Sequence, residues 1–249
     1  MNSNLKTRQT KNASVSPTSN GFRLTIPASS QSGYRLAQLD DYKNLARSNF
    51  LSHPPLTLSL RARASSQAIP GTWGFGLWND PFGLSLGFGG NPFQLPALPN
   101  AVWFFHASEQ NYLSFQSEKP AQGFIAQSFR APKFHRLLIP AGLAFPFSRK
   151  TTRKYLGRVI DEDSAAVSVD VTQWHDYRLE WSPNRSAFWV DEALVLESPV
   201  SPRPPLGLVI WIDNQFAAFR PDGKISFGVL AGREERLEIE GLEIKRSLV

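Results

Sequence analysis

The chain contains no cysteine and a single methionine. Disulfides and cysteine-ligated metals are therefore excluded, and stability has to come from packing. No window approaches the ~20 apolar residues that a membrane-spanning helix needs. Met1 to Asn20, rich in Ser, Thr, Asn and Lys, also lacks the apolar core of roughly 7–15 residues that an export signal requires. These absences lead to the expectation of a cytoplasmic protein, with a peripheral position on a membrane as its other placement. No spacing of His with Asp or Glu resembles a zinc site. No metal or cofactor is expected, although a calcium site built from residues remote in sequence stays open. No internal repeat is visible, and the absence of any DNA- or RNA-binding motif argues against nucleic acid as a partner.

What the chain does have is apolar and aromatic bulk. Of its 249 residues, 41% are hydrophobic, 12% are aromatic and seven are tryptophan. That stock can fill a core between two sheets, and a single all-β domain commonly reaches this length. Residues 1–20 read as a disordered polar and basic arm, leaving 21–249 as one domain. The net charge of +6 is unevenly placed. Residues 1–63 carry nine Lys/Arg against Asp40 and Asp41, and nine more basic residues lie between Lys119 and Ile160 with no acid among them. Such asymmetry points to an anionic partner or surface.

Alternating apolar residues predict strands over 22–26, 56–63 and within Gly71 to Phe82, and further strands are read over 101–108, apolar on both sides, 167–171, 206–213, 224–229 and 237–245. Leu137 to Phe147 is apolar but contains Pro140 and Pro146, which argues against a long helix there. Ser148 is placed to cap a helix through Ile160. On its wheel Thr152, Tyr155, Leu156, Val159 and Ile160 share one side. Arg149, Lys150, Arg153, Lys154 and Arg158 spread over the other. Residues 137–160 are thus expected as an apolar and helical insertion whose cations suit an anionic membrane surface. A lid with a solvated basic face fits the pattern equally.

The stretch Gln173 to Glu192 reads as a hairpin. Tyr177, Leu179 and Trp181 alternate in its first strand, Phe188 and Val190 in its second, and Ser182-Pro183-Asn184-Arg185 supplies the turn. The phrase Trp174-His175-x-Tyr177-x-Leu179-Glu180-Trp181-Ser182-Pro183, then Phe188-x-Val190-Asp191, resembles the hairpin of concanavalin A-like jelly rolls. It is most similar to that of laminarinase-type glycoside hydrolases of family 16. Gly71 to Phe82 resembles the strand that leads into that family's cleft, and Leu237 to Ile244 its final strand. The resemblance covers about residues 55–249 and implies an all-β, jelly-roll β-sandwich.

Retaining glycosidases need two carboxyl groups ~5–5.5 Å apart. The resemblance implies that they come from one strand, as two glutamates with an aspartate midway. The matching strand here, Ala101 to Ser108, contains no Asp or Glu. Hydrolysis by that mechanism is therefore not expected. His106, Glu109 just past the strand, and Asp213 are the weak catalytic candidates. Glu238 and Glu240 read as a solvated edge, and Asp161-Glu162-Asp163 as the solvated end of the basic helix.

Polar residues stranded in apolar runs cap turns or face clefts. Asn79 and Asp80 follow Trp78, and Asp213 and Asn214 follow Trp211. Together with Trp73, Trp78, Trp103, Trp211 and His106 they are read as lining a concave aromatic face. Such a face suits sugar rings and equally any flat apolar ligand. Two functions follow. One is a non-hydrolytic sandwich that binds a carbohydrate or glycolipid. The other is an enzyme or carrier for a lipophilic small molecule at a membrane surface. Hydrolysis by relocated carboxylates ranks third.

Overall fold

The computed structural model describes residues 5–28, 30, 33–81, 97–132 and 149–246. Among the described residues, eight strands precede helix α1: β1 (Lys6–Gln9), β2 (Ser14–Pro17), β3 (Gly21–Ile26), β4 (Leu36–Asp40), β5 (Leu56–Ala64), β6 (Thr72–Trp78), β7 (Ala101–Ala107) and β8 (Gly123–Arg130). Helix α1 (Arg149–Val159) leads into β9 (Asp161–Ala166). The hairpin strands β10 (His175–Ser182), β11 (Arg185–Val190) and β12 (Ala193–Ser198) follow. The chain closes with β13 (Gly207–Asp213), β14 (Gln215–Phe219), β15 (Ile225–Val229) and β16 (Glu235–Arg246). Two seven-stranded antiparallel sheets result, in the orders β1-β4-β13-β6-β7-β8-β9 and β12-β11-β10-β5-β16-β3-β2, with β14-β15 as a separate ribbon. This is the expected jelly-roll sandwich.

The inner faces follow from strict alternation, because residues two apart share a face. Trp73, Phe75 and Leu77 of β6 meet Tyr177, Leu179 and Trp181 of β10 in one core. Phe104 lies 5.1 Å from Tyr177 and 5.3 Å, edge-on, from Phe188. A buried hydroxyl pair, Ser128 to Ser186 at 2.6 Å, ties the two sheets together where the apolar residues stop. The predicted hairpin forms in register, with Ser182 opposite Arg185. Its next turn uses Asp191 and Glu192, both at positive φ (49° and 68°). Asp191 accepts from His175 Nδ1 at 2.5 Å and from the Asp176 N–H, so His175 is a hairpin clasp.

Three expectations need correction. Residues 6–9 and 14–17 of the supposed disordered arm are strands, β1 pairing with β4 and β2 with β3. Each is a sheet edge, so it buries little and shows no apolar alternation for sequence to reveal. The strand predicted at 167–171 lies instead at Asp161–Ala166, directly after the helix. β16 is no edge, since it pairs with both β5 and β3, and Glu238 bonds Arg23 and Arg63 across its neighbours.

Helix α1 stands where predicted; Ser148 and the apolar segment 137–147 lie outside the described residues. Arg149, Lys150, Lys154 and Arg158 are exposed, but Arg153 is only 4% exposed. It cannot belong to a surface cation face. Its guanidinium donates to the carbonyls of Phe219 (2.7 Å), Phe115 (3.0 Å) and Ser114 (2.6 Å) and sits over the Tyr112 and Phe219 rings. One side chain thereby joins α1 to β14 and to the 112–115 segment. Arg153→Met is expected to lower unfolding free energy by about 3–5 kcal/mol, because three carbonyls lose a charged donor. Arg153→Lys should restore only part, since one ammonium cannot match the planar fork. Urea denaturation of the three proteins checks both statements; equal midpoints would refute them.

Candidate functional site

The first sheet has a second face, turned away from its partner sheet, and this is where the aromatic candidates divide. Parity sends Trp73 into the sandwich core, 1% exposed, stacked on Phe124 at 4.8 Å. His106 goes with it, its ring 5.5 Å from Trp73 and nearly parallel. Burial holds the His106 imidazole down at about 4, so it is neutral near pH 7. Neither residue lines the outward face, because each lies one position out of phase with those that do. Glu109 is exposed in the turn after β7 and also lies off that face.

Trp78, Trp103 and Trp211 do share the outward face, joined by Phe105. Trp78 and Trp211 stack at 6.2 Å with planes 6° apart. Trp103 stacks on Phe105 at 5.3 Å, and Trp211 lies 5.5 Å from Trp103. The glycines of β6 make this possible. A Cβ on Gly74 would come within 2.9 Å of the Trp211 ring and 2.4 Å of the Phe104 carbonyl. One on Gly76 would lie 2.5 Å from the Trp103 Cβ. The close approach that glycine signals in a strand is here the approach of neighbouring residues. Tyr42, Phe50, Leu156 and Ile160 pack on the same cluster, leaving Trp103 and Trp211 each 7% exposed and Trp78 half-buried.

Each indole N–H on this face has an internal acceptor. Trp78 donates to the Tyr42 hydroxyl at 2.8 Å, Trp103 to Gln127 Oε1 at 3.1 Å and Trp211 to Thr72 Oγ1 at 2.9 Å. Each acceptor connects in turn to a buried carboxylate. Gln127 donates to Glu162 Oε1 at 3.1 Å, and Glu162 Oε2 accepts the Phe115 N–H at 2.7 Å. Tyr42 accepts from Gln38, which also donates to Asp40 Oδ2 at 2.9 Å. Glu162 is therefore an interior anchor, not the solvated helix end that three consecutive acids suggested. Its strand alternates Glu162 and Ser164 inward, a period-two signal hidden by the acids on either side.

The third carboxylate is Asp213. Its Oδ1 accepts the Thr72 hydroxyl at 2.7 Å and the N–H groups of Thr72 and Gln215, while the Tyr34 hydroxyl donates to Oδ2 at 3.3 Å. Burial outweighs these donors and pushes the carboxyl up to about 7. Burial, then the charge of Asp213, holds the Tyr34 phenol well above its usual range. Asp213 can thus exchange a proton near neutral pH. The other polar candidates are structural. Asn214 accepts from the Arg35 N–H at 2.7 Å and donates to the Leu230 carbonyl at 2.9 Å. Asn79 bridges Leu98 and Asn100. Asp80 turns the chain at φ 46°, and Arg47 grips its carbonyl at 2.5 Å. Burial raises the Asp80 carboxyl, opposed by Arg8 and Arg47.

No known family model matches the chain, and no curated relative does. Among solved structures it is similar to the endo-β-1,4-glucuronan lyase of the fungus Trichoderma reesei, with a TM-score of 0.53 and 12% identity over 97% of this chain and 90% of that one. It is also similar to a Bacillus licheniformis β-glucanase, with a TM-score of 0.50 and 11% identity over 99% and 94%. These likenesses show the concanavalin-like sandwich fold. Among the described residues no group of three or more His, Cys, Asp or Glu is placed to hold a metal, and no helix is long and apolar enough to cross a membrane.

The Asp213 environment makes a signed prediction. An unfolded carboxyl ionises near pH ~4, whereas folding keeps Asp213 protonated up to about 7. Between those values the folded state binds the extra proton, so stability falls as pH rises and levels off above 7. His106 works in the opposite sense between its folded value of about 4 and the usual histidine range, so the comparison must be differential. Asp213→Asn is expected to match the parent at pH 4 and to exceed it by up to about 4 kcal/mol above pH 7. Urea titrations from pH 4 to 8 check this, and a gap that does not grow with pH would refute it.

Proposed function

We propose that this chain binds carbohydrate along the outward face of its first sheet and does not cut it. The observation that carries the reading is that β7, at the middle of that face, places Ala101, Trp103, Phe105 and Ala107 there, buried beneath half-buried Trp78 and with no carboxylate among them. Asp213 and Glu162 sit on β13 and β9, four strand spacings apart. That is roughly 19 Å across the sheet, against ~5–9.5 Å for a glycosidase pair. Flat aromatic clusters suit the apolar faces of sugar rings. The two structurally similar proteins, a glucuronan lyase and a β-glucanase by name, support carbohydrate as the ligand class. Half-buried Trp78 and Tyr34 are the members of the face through which a ligand gains access.

One observation favours a second ligand class. All three indole donors are already satisfied inside the protein, so the face offers little hydrogen bonding and also suits a flat lipophilic molecule. Cleavage by relocated carboxylates has weaker support. Asp40 and Asp80 feel each other's charge, but Asp40 is fully buried and holds Gln38 and the Lys43 N–H. We place the protein in the cytoplasm on the same footing.

A glycan array including glucan and glucuronan oligosaccharides tests the reading, followed by calorimetry on Trp78→Ala. The expected result is binding that weakens at least about tenfold in the variant, as loss of a stacking ring implies, with no new reducing ends after prolonged incubation. Release of reducing ends that Asp80→Asn abolishes would favour hydrolysis instead. Binding of a planar apolar dye but of no glycan would favour the lipophilic class.

A further inference from the structure

We propose that the groove between α1 and residues 115–118 binds a phosphate-bearing anion. This site is separate from the outward aromatic face and does not rest on the carbohydrate reading. The groove is open to solvent and offers about 340 Å³. Its wall is a row of cations, Lys150, Lys154 and Arg158, four residues apart. That spacing puts them on one helix side about 6 Å apart, in a row of about 12 Å.

Among the described residues, no cation of this row pairs with a carboxylate. Neighbouring acids are engaged elsewhere: Asp163 pairs with Lys119 at 2.5 Å, Asp161 with Arg130 at 2.9 Å and Asp222 with Lys224 at 3.3 Å. Glu162 is turned inward on the Phe115 N–H. Glu118 is the one carboxylate on the lining, against Lys150, Arg153, Lys154 and Arg158.

Arg153 supplies an independent observation. It lies under the groove, 4% exposed, with its guanidinium donating to three carbonyls and to no carboxylate. Carbonyl dipoles anchor that charge without cancelling it, so its field projects into the groove, where solvent screens it less than at an open surface. Two ammonium groups and a guanidinium in a row along the wall, beside a buried cation, match an anion carrying more than one negative charge. A phosphate ester meets that demand better than a single carboxylate. A soluble phosphorylated metabolite and an anionic lipid headgroup share this chemistry.

The test measures the full chain against two probes, pyrophosphate by calorimetry and phosphatidylcholine vesicles containing phosphatidylglycerol by sedimentation. The comparison protein is the triple variant Lys150→Glu, Lys154→Glu, Arg158→Glu. All three positions are exposed, and an unchanged thermal midpoint without ligand confirms that it folds. The expected result is binding of at least one probe, at least about tenfold weaker in the variant and weakened by salt in the parent. Binding of pyrophosphate with no vesicle recruitment assigns a soluble phosphate, and vesicle recruitment alone assigns a headgroup. Equal affinities for parent and variant, or no binding of either probe, would overturn the proposal.

Discussion

The constraint on which this structure turns is that the central strands of its first sheet, β4, β13, β6, β7 and β8, are buried on both faces. The inner face presents the usual problem of a sandwich and meets it with alternating apolar residues. The outer face is harder, because it buries Trp103 and Trp211 and half-buries Trp78, and each brings an N–H that is paired inside. Tyr42, Gln127 and Thr72 provide that pairing. Those acceptors then recruit Asp40, Glu162 and Asp213. A series of hydrogen bonds thereby runs from indole through neutral groups to carboxylate, and ends on the backbone N–H groups of Lys43, Phe115 and Gln215. Aromatic packing and loop placement are one network.

How far this could be read in advance depended on the range of the interaction. The hairpin at 175–190 was legible because its partners are local and its two-residue period is strong. The strands β5, β6 and β16 were legible from the same two-residue period, and β7 and β13 from unbroken apolar runs. Edge strands β1 and β2 bury little, so no alternation marks them. Trp73 and Trp78 both sit on β6, and parity alone separates them: Trp73 shares the core face with Phe75 and Leu77, while Trp78 shares the outer face with Gly74 and Gly76. Asp213 was recognisable as an acid stranded beside Trp211. Glu162, Gln127 and Tyr42 were not, because their partners lie 24 to 46 residues away or more and no local pattern records them.

Arg153 shows the same limit on a helix. Five cations spread around a wheel look like one solvated surface, and charge alone cannot tell that one of them points inward. What selects Arg153 is three carbonyls arriving from segments 38, 39 and 66 residues away. A guanidinium can serve all three at once. The basic helix is therefore two things in one turn-by-turn pattern: a buried fastener at Arg153, and an exposed row at Lys150, Lys154 and Arg158.

The uses to which the carboxylates are put bear on what the aromatic face can do. A carboxylate acting as a nucleophile or base needs an oxygen that a ligand can approach. Both oxygens of Asp40 are occupied, by Gln38 and the Lys43 N–H. Both oxygens of Glu162 are occupied, by Gln127 and the Phe115 and Gln116 N–H groups. Asp213 is held by Thr72 and Gln215 on one oxygen and by Tyr34 on the other. Recruiting any of them for bond cleavage would release a loop or an indole that the outer face depends on. With these acids engaged as anchors and Trp103, Phe105 and Trp211 buried, the ring surface left partly open on this face is that of Trp78 and Tyr34.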